Sequence, residues 1–123
     1  MRMGLDPVAA RKALAAVRLF NGTAALLVPR LMLRRLGAPA ADRSGVYPLR
    51  MFGIRTIVIG SDLLLLRGDE LRRATQLAVL IHACDTVSAA TAGVRGDLPR
   101  KSAVVATTVS AINTGLALVA SRT

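Results

Sequence analysis

The side chains able to do chemistry inside the apolar stretches of this chain are few: Arg18, Asn21, Arg50, Arg55, Asp62, His82, Asp85 and Asn113. Thr75, Ala78, His82, Asp85, Ala89 and Ala92 recur at spacings of three and four, which places them on one helical face. Arg55 and Asp62, seven apart, share a face two turns distant. An unpaired ion in apolar surroundings is expensive, so the pattern predicts that Arg55 pairs with Asp85, with Asp62 or His82 completing a small buried network. Three uses fit such a network. It fixes helix register, it relays a proton or ion through Asp62, His82 and Asp85, or it lets His82 and Asp85 act as base and acid on a lipid or quinone.

A second set of polar residues has the spacing of helix packing. Arg18, Asn21 and Ala25 follow one another at three and four, and Ala106, Ser110 and Thr114 are four apart with Asn113 beside them. Small residues let helices approach closely, and hydroxyl and amide groups there add interhelical hydrogen bonds. His82 and Cys84 each occur once. A bis-His haem site within one chain, an internal disulfide and CxxC redox chemistry are therefore excluded, and Cys84 is expected to be a buried, unreactive thiol. No metal, nucleotide or catalytic motif stands out. The expectation is no cofactor, no metal and no catalytic residue.

These residues sit on four apolar stretches that read as helices. Asp6-Pro7 has the chemistry of an N-cap and first helical position. The first apolar run covers residues 13–28 and is closed by Pro29. Arg18 and Asn21 inside it, with no small-residue cleavage site following, argue for a retained segment rather than a signal peptide. Residues 30–36, closed by Gly37 and Pro39, have the composition of a short interfacial helix with arginines reaching to phosphates, or equally of the frayed end of the first span. The linker 40–46 leads to Tyr47-Pro48 and a second run through Leu66. Residues 67–70 read as a tight turn. The third run, 74–92, ends at Gly93, and the turn 95–99 leads to the fourth, 103–120. Runs two to four are near the ~20 residues that cross a ~30 Å hydrocarbon layer. Short connections make consecutive helices antiparallel neighbours.

Composition agrees with a membrane bundle: 53% hydrophobic residues and a mean hydropathy of +0.49 stand beside 20% charge, which falls mostly between the runs. A soluble bundle needs a charged stripe on each helix, and residues 104–119 carry no charge. The +10 net charge, built from fifteen Arg and two Lys, partly reflects a high-GC bacterial genome. With only Phe20, Tyr47 and Phe52 aromatic and no recognition module, nucleic-acid binding is not expected. The basic residues are better placed as flanks at lipid headgroups.

Orientation is tied. The N-terminus, second turn and C-terminus hold seven basic residues, and the opposite side also seven, with Arg50 able to join either. One internal echo links Val17-Arg18-Leu19-Phe20 with Leu49-Arg50-Met51-Phe52. If both mark the start of a hydrophobic segment, both arginines lie near headgroups.

The segments Arg18-Leu19-Phe20-Asn21-Gly22, Val28-Pro29-Arg30, Leu49-Arg50-Met51-Phe52-Gly53-Ile54-Arg55, Gly60 and His82-Ala83-Cys84-Asp85-Thr86 resemble the pattern of uncharacterised small four-helix membrane proteins, distantly similar to DoxX-like proteins. There Arg is commonly followed by Asp, whereas Arg55 is followed by Thr56. The resemblance implies a membrane-protein fold and no established activity. Size alone also resembles the small multidrug transporters, but their embedded Glu and aromatic residues have no counterpart here, Glu70 lying in a turn.

The expected protein is thus all-α: a single domain over residues 1–123, a four-helix transmembrane bundle with a short interfacial helix after the first span, multi-pass in a bacterial inner membrane. The favoured role is a non-enzymatic structural or accessory subunit, packing with a second copy or a larger membrane complex. A small proton-coupled transporter and a membrane enzyme are the alternatives. The expected site residues are Arg55, Asp62, His82 and Asp85, with Arg18, Asn21 and Asn113 secondary.

Overall fold

The computed structural model describes residues 6–35, 37 and 43–122, which form five α-helices and no strand. Helix α1 (Pro7–Leu27) starts as its sequence requires: the Asp6 carboxylate accepts from the Ala9 N–H at 3.1 Å, and Pro7 occupies the first turn, where a missing N–H costs nothing. It stops at Val28, because Pro29 cannot continue it. The chain turns by 108° and runs on as the short α2 (Pro29–Arg35), the helix expected after the first long one. Gly45 holds α2 down: a Cβ there would meet a Leu33 methyl at 2.8 Å. Arg2, Leu36, Pro39 and residues 40–42 of the linker lie outside the described residues.

Helix α3 (Val46–Leu65) matches the second run, and α4 (Gly68–Arg95) is longer than the third. The expected turn at 67–70 shrinks to Leu66-Arg67. Gly68, at φ +61°, already opens α4, and Asp69 and Glu70 lie in its first turn, where carboxylates favour the exposed N–H groups. At the other end α4 passes Gly93 and stops at Gly96, whose φ of +79° lets the Asp97 N–H close back on the Ala92 carbonyl at 2.8 Å. Helix α5 (Arg100–Ala120) completes the chain.

The four long helices pack as two close pairs, α1 with α3 and α4 with α5, joined mainly by α1 against α5 and less by α3 against α4. Glycine sets the closeness of the first pair. A Cβ on Gly53 would lie 2.7 Å from the Gly22 carbonyl oxygen, and one on Gly22 would lie 2.9 Å from that of Gly53. The second pair closes at Gly93 over the Ala103 Cβ. At the α1 N-terminal end, Arg11 donates to the Leu63 carbonyl and ties α1 to α3.

The interior is built mostly of small residues with a few polar ones among them, while most large apolar side chains lie outside. The core cluster is Leu14, Ala15, Leu63, Ala78 and Ala117, whereas Phe20 is 74% exposed and Val94 90% exposed. That inversion leaves a broad apolar surface of the kind that lipid covers. By length and composition α4 and α5 are able to cross a membrane, and α1 with α2 passes the same measure as one bent pair. Helix α3 is not among them, since it carries Arg50, Arg55 and Asp62 within twenty residues. The four expected spans are therefore two or three by this measure.

Candidate functional site

The polar centre is organised by Arg18, twelve residues into α1 and only 4% exposed. Gly60 makes room for it: a Cβ there would sit 3.2 Å from the Arg18 Cβ and 3.3 Å from the Ala15 carbonyl oxygen. With its stem seated on α3, the guanidinium reaches across to α4. Its Nε donates to His82 Nε2 at 2.9 Å, and Nη1 donates to the Thr56 hydroxyl of α3 at 3.3 Å. His82 is itself 2% exposed. An imidazole that accepts at Nε2 is neutral and carries its proton on Nδ1. Nη2 lies 3.4 Å from that Nδ1, where both atoms would donate, so the 2.9 Å contact is the hydrogen bond.

Around this trio α4 and α5 supply a second layer. Thr86 donates to the His82 carbonyl at 2.8 Å and stands 3.4 Å from the Thr114 hydroxyl, which donates to the Ser110 carbonyl at 2.8 Å. These bonds fix the turn of α4 that carries His82 against α5.

The trio borders a cavity of about 440 Å³, partly open, to which every helix contributes. Asn21 and Asn113 bring amides, Asp85 a carboxylate, and Ser88 and Ser110 hydroxyls. Leu49 and Phe52 of α3 and Val105 and Val109 of α5 make apolar walls, and Met32 of α2 borders one side. Asp85 is exposed at the edge of the cavity that Arg18 also borders. Asn113 is 7% exposed, yet its amide makes no hydrogen bond with another described residue. No side-chain N or O among the described residues is both sealed off and unpartnered, and Asn113 borders this cavity as well as an outer groove beside Phe20 and Ile112. A buried amide that gains no partner costs about 1–3 kcal/mol.

Of the expected site residues, His82 and Asp85 line the cavity, as do the secondary Arg18, Asn21 and Asn113. Arg55 and Asp62 do not: Arg55 is exposed and Asp62 half-buried, both outside the cavity. The expected Arg55–Asp85 pair is thus replaced, and Arg18 is the buried cation. The reason lies in α3 itself. Its inner face is Gly53, Thr56, Gly60 and Leu63, all buried, which turns Arg55 outward. Cys84, expected to be buried, is exposed, two residues and about 200° around α4 from His82. Arg18 is also not at a helix start, as the internal echo implied. Thr56, not singled out from sequence, belongs to the centre; its signal was its position four before Gly60 on a small-residue face.

No group of three or more His, Cys, Asp or Glu residues among those described is arranged to hold a metal ion. No protein-family model, curated protein or solved structure matches the chain.

Proposed function

We propose that this chain is a small multi-pass membrane protein, resembling the small four-helix and distantly DoxX-like proteins, that receives a small molecule in a cavity between its helices and serves as a binding or carrier component. In this reading α1, α3, α4 and α5 all cross the bilayer and α2 lies at one surface with Arg30, Arg34 and Arg35 among headgroups. The observation that carries it is the cavity at Arg18. A cation needed only for helix register would be fully enclosed by its partners, whereas Arg18 borders an open volume together with Asn113, a buried amide without a hydrogen-bond partner among the described residues.

In this reading Arg50, about 6 Å into α3, reaches an interface with its stem, while Arg55 faces outward near mid-helix and is a costly side chain of the span. Alkaline carbonate extraction tests insertion, with retention in the membrane pellet expected and a soluble, monodisperse chain contradicting it. Native mass spectrometry from mild detergent tests the cavity. The wild-type chain is expected to carry a bound small molecule that Ala106→Phe expels; bare mass in both forms removes the binding role.

A second reading, the accessory subunit, is favoured by the outer face of α5. Gly115 is exposed, and a Cβ there would meet nothing within 4 Å, which leaves room for another helix backbone. Its expected signature is a fixed partner or second copy in mild detergent, lost in Gly115→Leu.

A further inference from the structure

The cavity's groups define what it would hold. Three ionisable side chains line it, Arg18, His82 and Asp85. Arg18 is positive, His82 is neutral because it accepts from the guanidinium, and Asp85 opposes the Arg18 charge. The lining is therefore close to electrically neutral. An anion entering would meet the Asp85 carboxylate, and a cation would meet Arg18.

Hydrogen-bonding capacity is nevertheless left over. A guanidinium has five N–H donors, and two of those of Arg18 are taken by His82 and Thr56. The Asn113 amide, buried and without a hydrogen-bond partner among the described residues, offers two more donors and an acceptor. The cavity has length as well. It follows α3 from Thr56 to Leu49 and α5 from Asn113 to Val105, seven and eight residues, or about 10–12 Å along the axis. Arg18, Thr56 and His82 are joined at one level, Asp85 and Ser88 follow three and six residues beyond His82 on α4, and Leu49, Phe52, Val105 and Val109 make apolar walls on α3 and α5.

Resting on the reading of the cavity as a binding site, we propose that its occupant is an uncharged amphiphile, presenting a carbonyl or hydroxyl oxygen to Arg18 and Asn113 and laying an apolar body along Phe52, Val105 and Val109. Affinity then comes from satisfying buried donors. Selectivity comes from Asp85, which rejects carboxylates that Arg18 alone would attract.

The test holds the chain in phosphatidylcholine nanodiscs and compares three ten-carbon probes, decan-2-one, decanoate and decylammonium, against empty nanodiscs. Binding of carbonyl-labelled decan-2-one is followed by its carbon resonance. Saturable binding near one per chain is expected, with decanoate and decylammonium competing at least about tenfold more weakly. Asp85 is exposed, so Asp85→Asn is expected to fold, and it should raise decanoate affinity relative to that of the ketone at least about tenfold. Ala106→Leu should remove all binding. Decanoate matching the ketone in the wild type, or decanoate binding unchanged relative to the ketone in Asp85→Asn, overturns the uncharged class while saturable binding still supports a binding cavity. No saturable binding of any probe, in a chain that is helical and monodisperse, overturns both.

Discussion

Val17-Arg18-Leu19-Phe20 on α1 and Leu49-Arg50-Met51-Phe52 on α3 are nearly the same sequence in opposite surroundings: Arg18 is buried among partners, and Arg50 is exposed. Position along the helix separates them. Arg18 lies about 17 Å into α1, and Arg50 about 6 Å into α3. The surroundings that each helix meets complete the difference. Arg18 has Gly60 opposite its stem and His82 within reach of its head, while Arg50 has the open end of the molecule. The two turns also meet through their glycines, since Gly22 follows the first and Gly53 the second, and each would clash with the other's carbonyl if given a Cβ. One local pattern therefore supplies a close helix contact twice and a buried cation once.

The comparison breaks first at the shared glycines. Gly53→Val is expected to cost about 3 kcal/mol or more, because the obstructing atoms are backbone, and α1 and α3 must separate to admit the branched side chain. Thermal unfolding in detergent should show a larger loss than substitution of either arginine brings, and Gly115→Ala should show almost none, since its Cβ meets open space.

Next comes the buried cation. Arg18→Gln removes a charged donor from His82 and Thr56 and should cost roughly 2 kcal/mol. Arg50→Gln, the same change in the echoed turn, should stay within about 0.5 kcal/mol. Equal losses in the two variants would mean that the two arginines share an environment after all.

A smaller effect sharpens the account of α3. Thr56→Val keeps the shape and removes one acceptor of Arg18, so about 1 kcal/mol is expected, and the loss should vanish in the Arg18→Gln background. Arg55→Gln, one residue away but facing outward, should be neutral within about 0.5 kcal/mol, and Arg55→Gln should not rescue Asp85→Asn.

Much of the framework was legible in the chain. The Asp6 cap, the break at Pro29, the short helix after it and the buried Thr75, Ala78 and His82 face follow from local chemistry and spacing. The identity of the buried cation was not. Periodicity puts Arg55 and Asp62 on one face of α3, but a helix has several faces, and Gly53, Thr56, Gly60 and Leu63 share another at the same spacing. Close packing selected the face that brings backbones together. Only the partner helix settles such a choice, and α1 pairs most closely with α3 through residues whose sole sequence mark is the absence of a side chain. The extent of α4 was hidden for a related reason: its first turn is charged, and Gly93 reads as a stop although the helix runs on to Arg95.

The chain's single histidine makes one measurement decisive. Nitrogen NMR of histidine-labelled protein in bilayers gives one pair of ring resonances, free of overlap. The account predicts a neutral imidazole with Nε2 as a hydrogen-bond acceptor and the proton on Nδ1, both signals moving when Arg18 is replaced by Gln. A ring protonated at Nε2, or signals indifferent to Arg18→Gln, would contradict the Arg18–His82 centre and with it the cavity that depends on it.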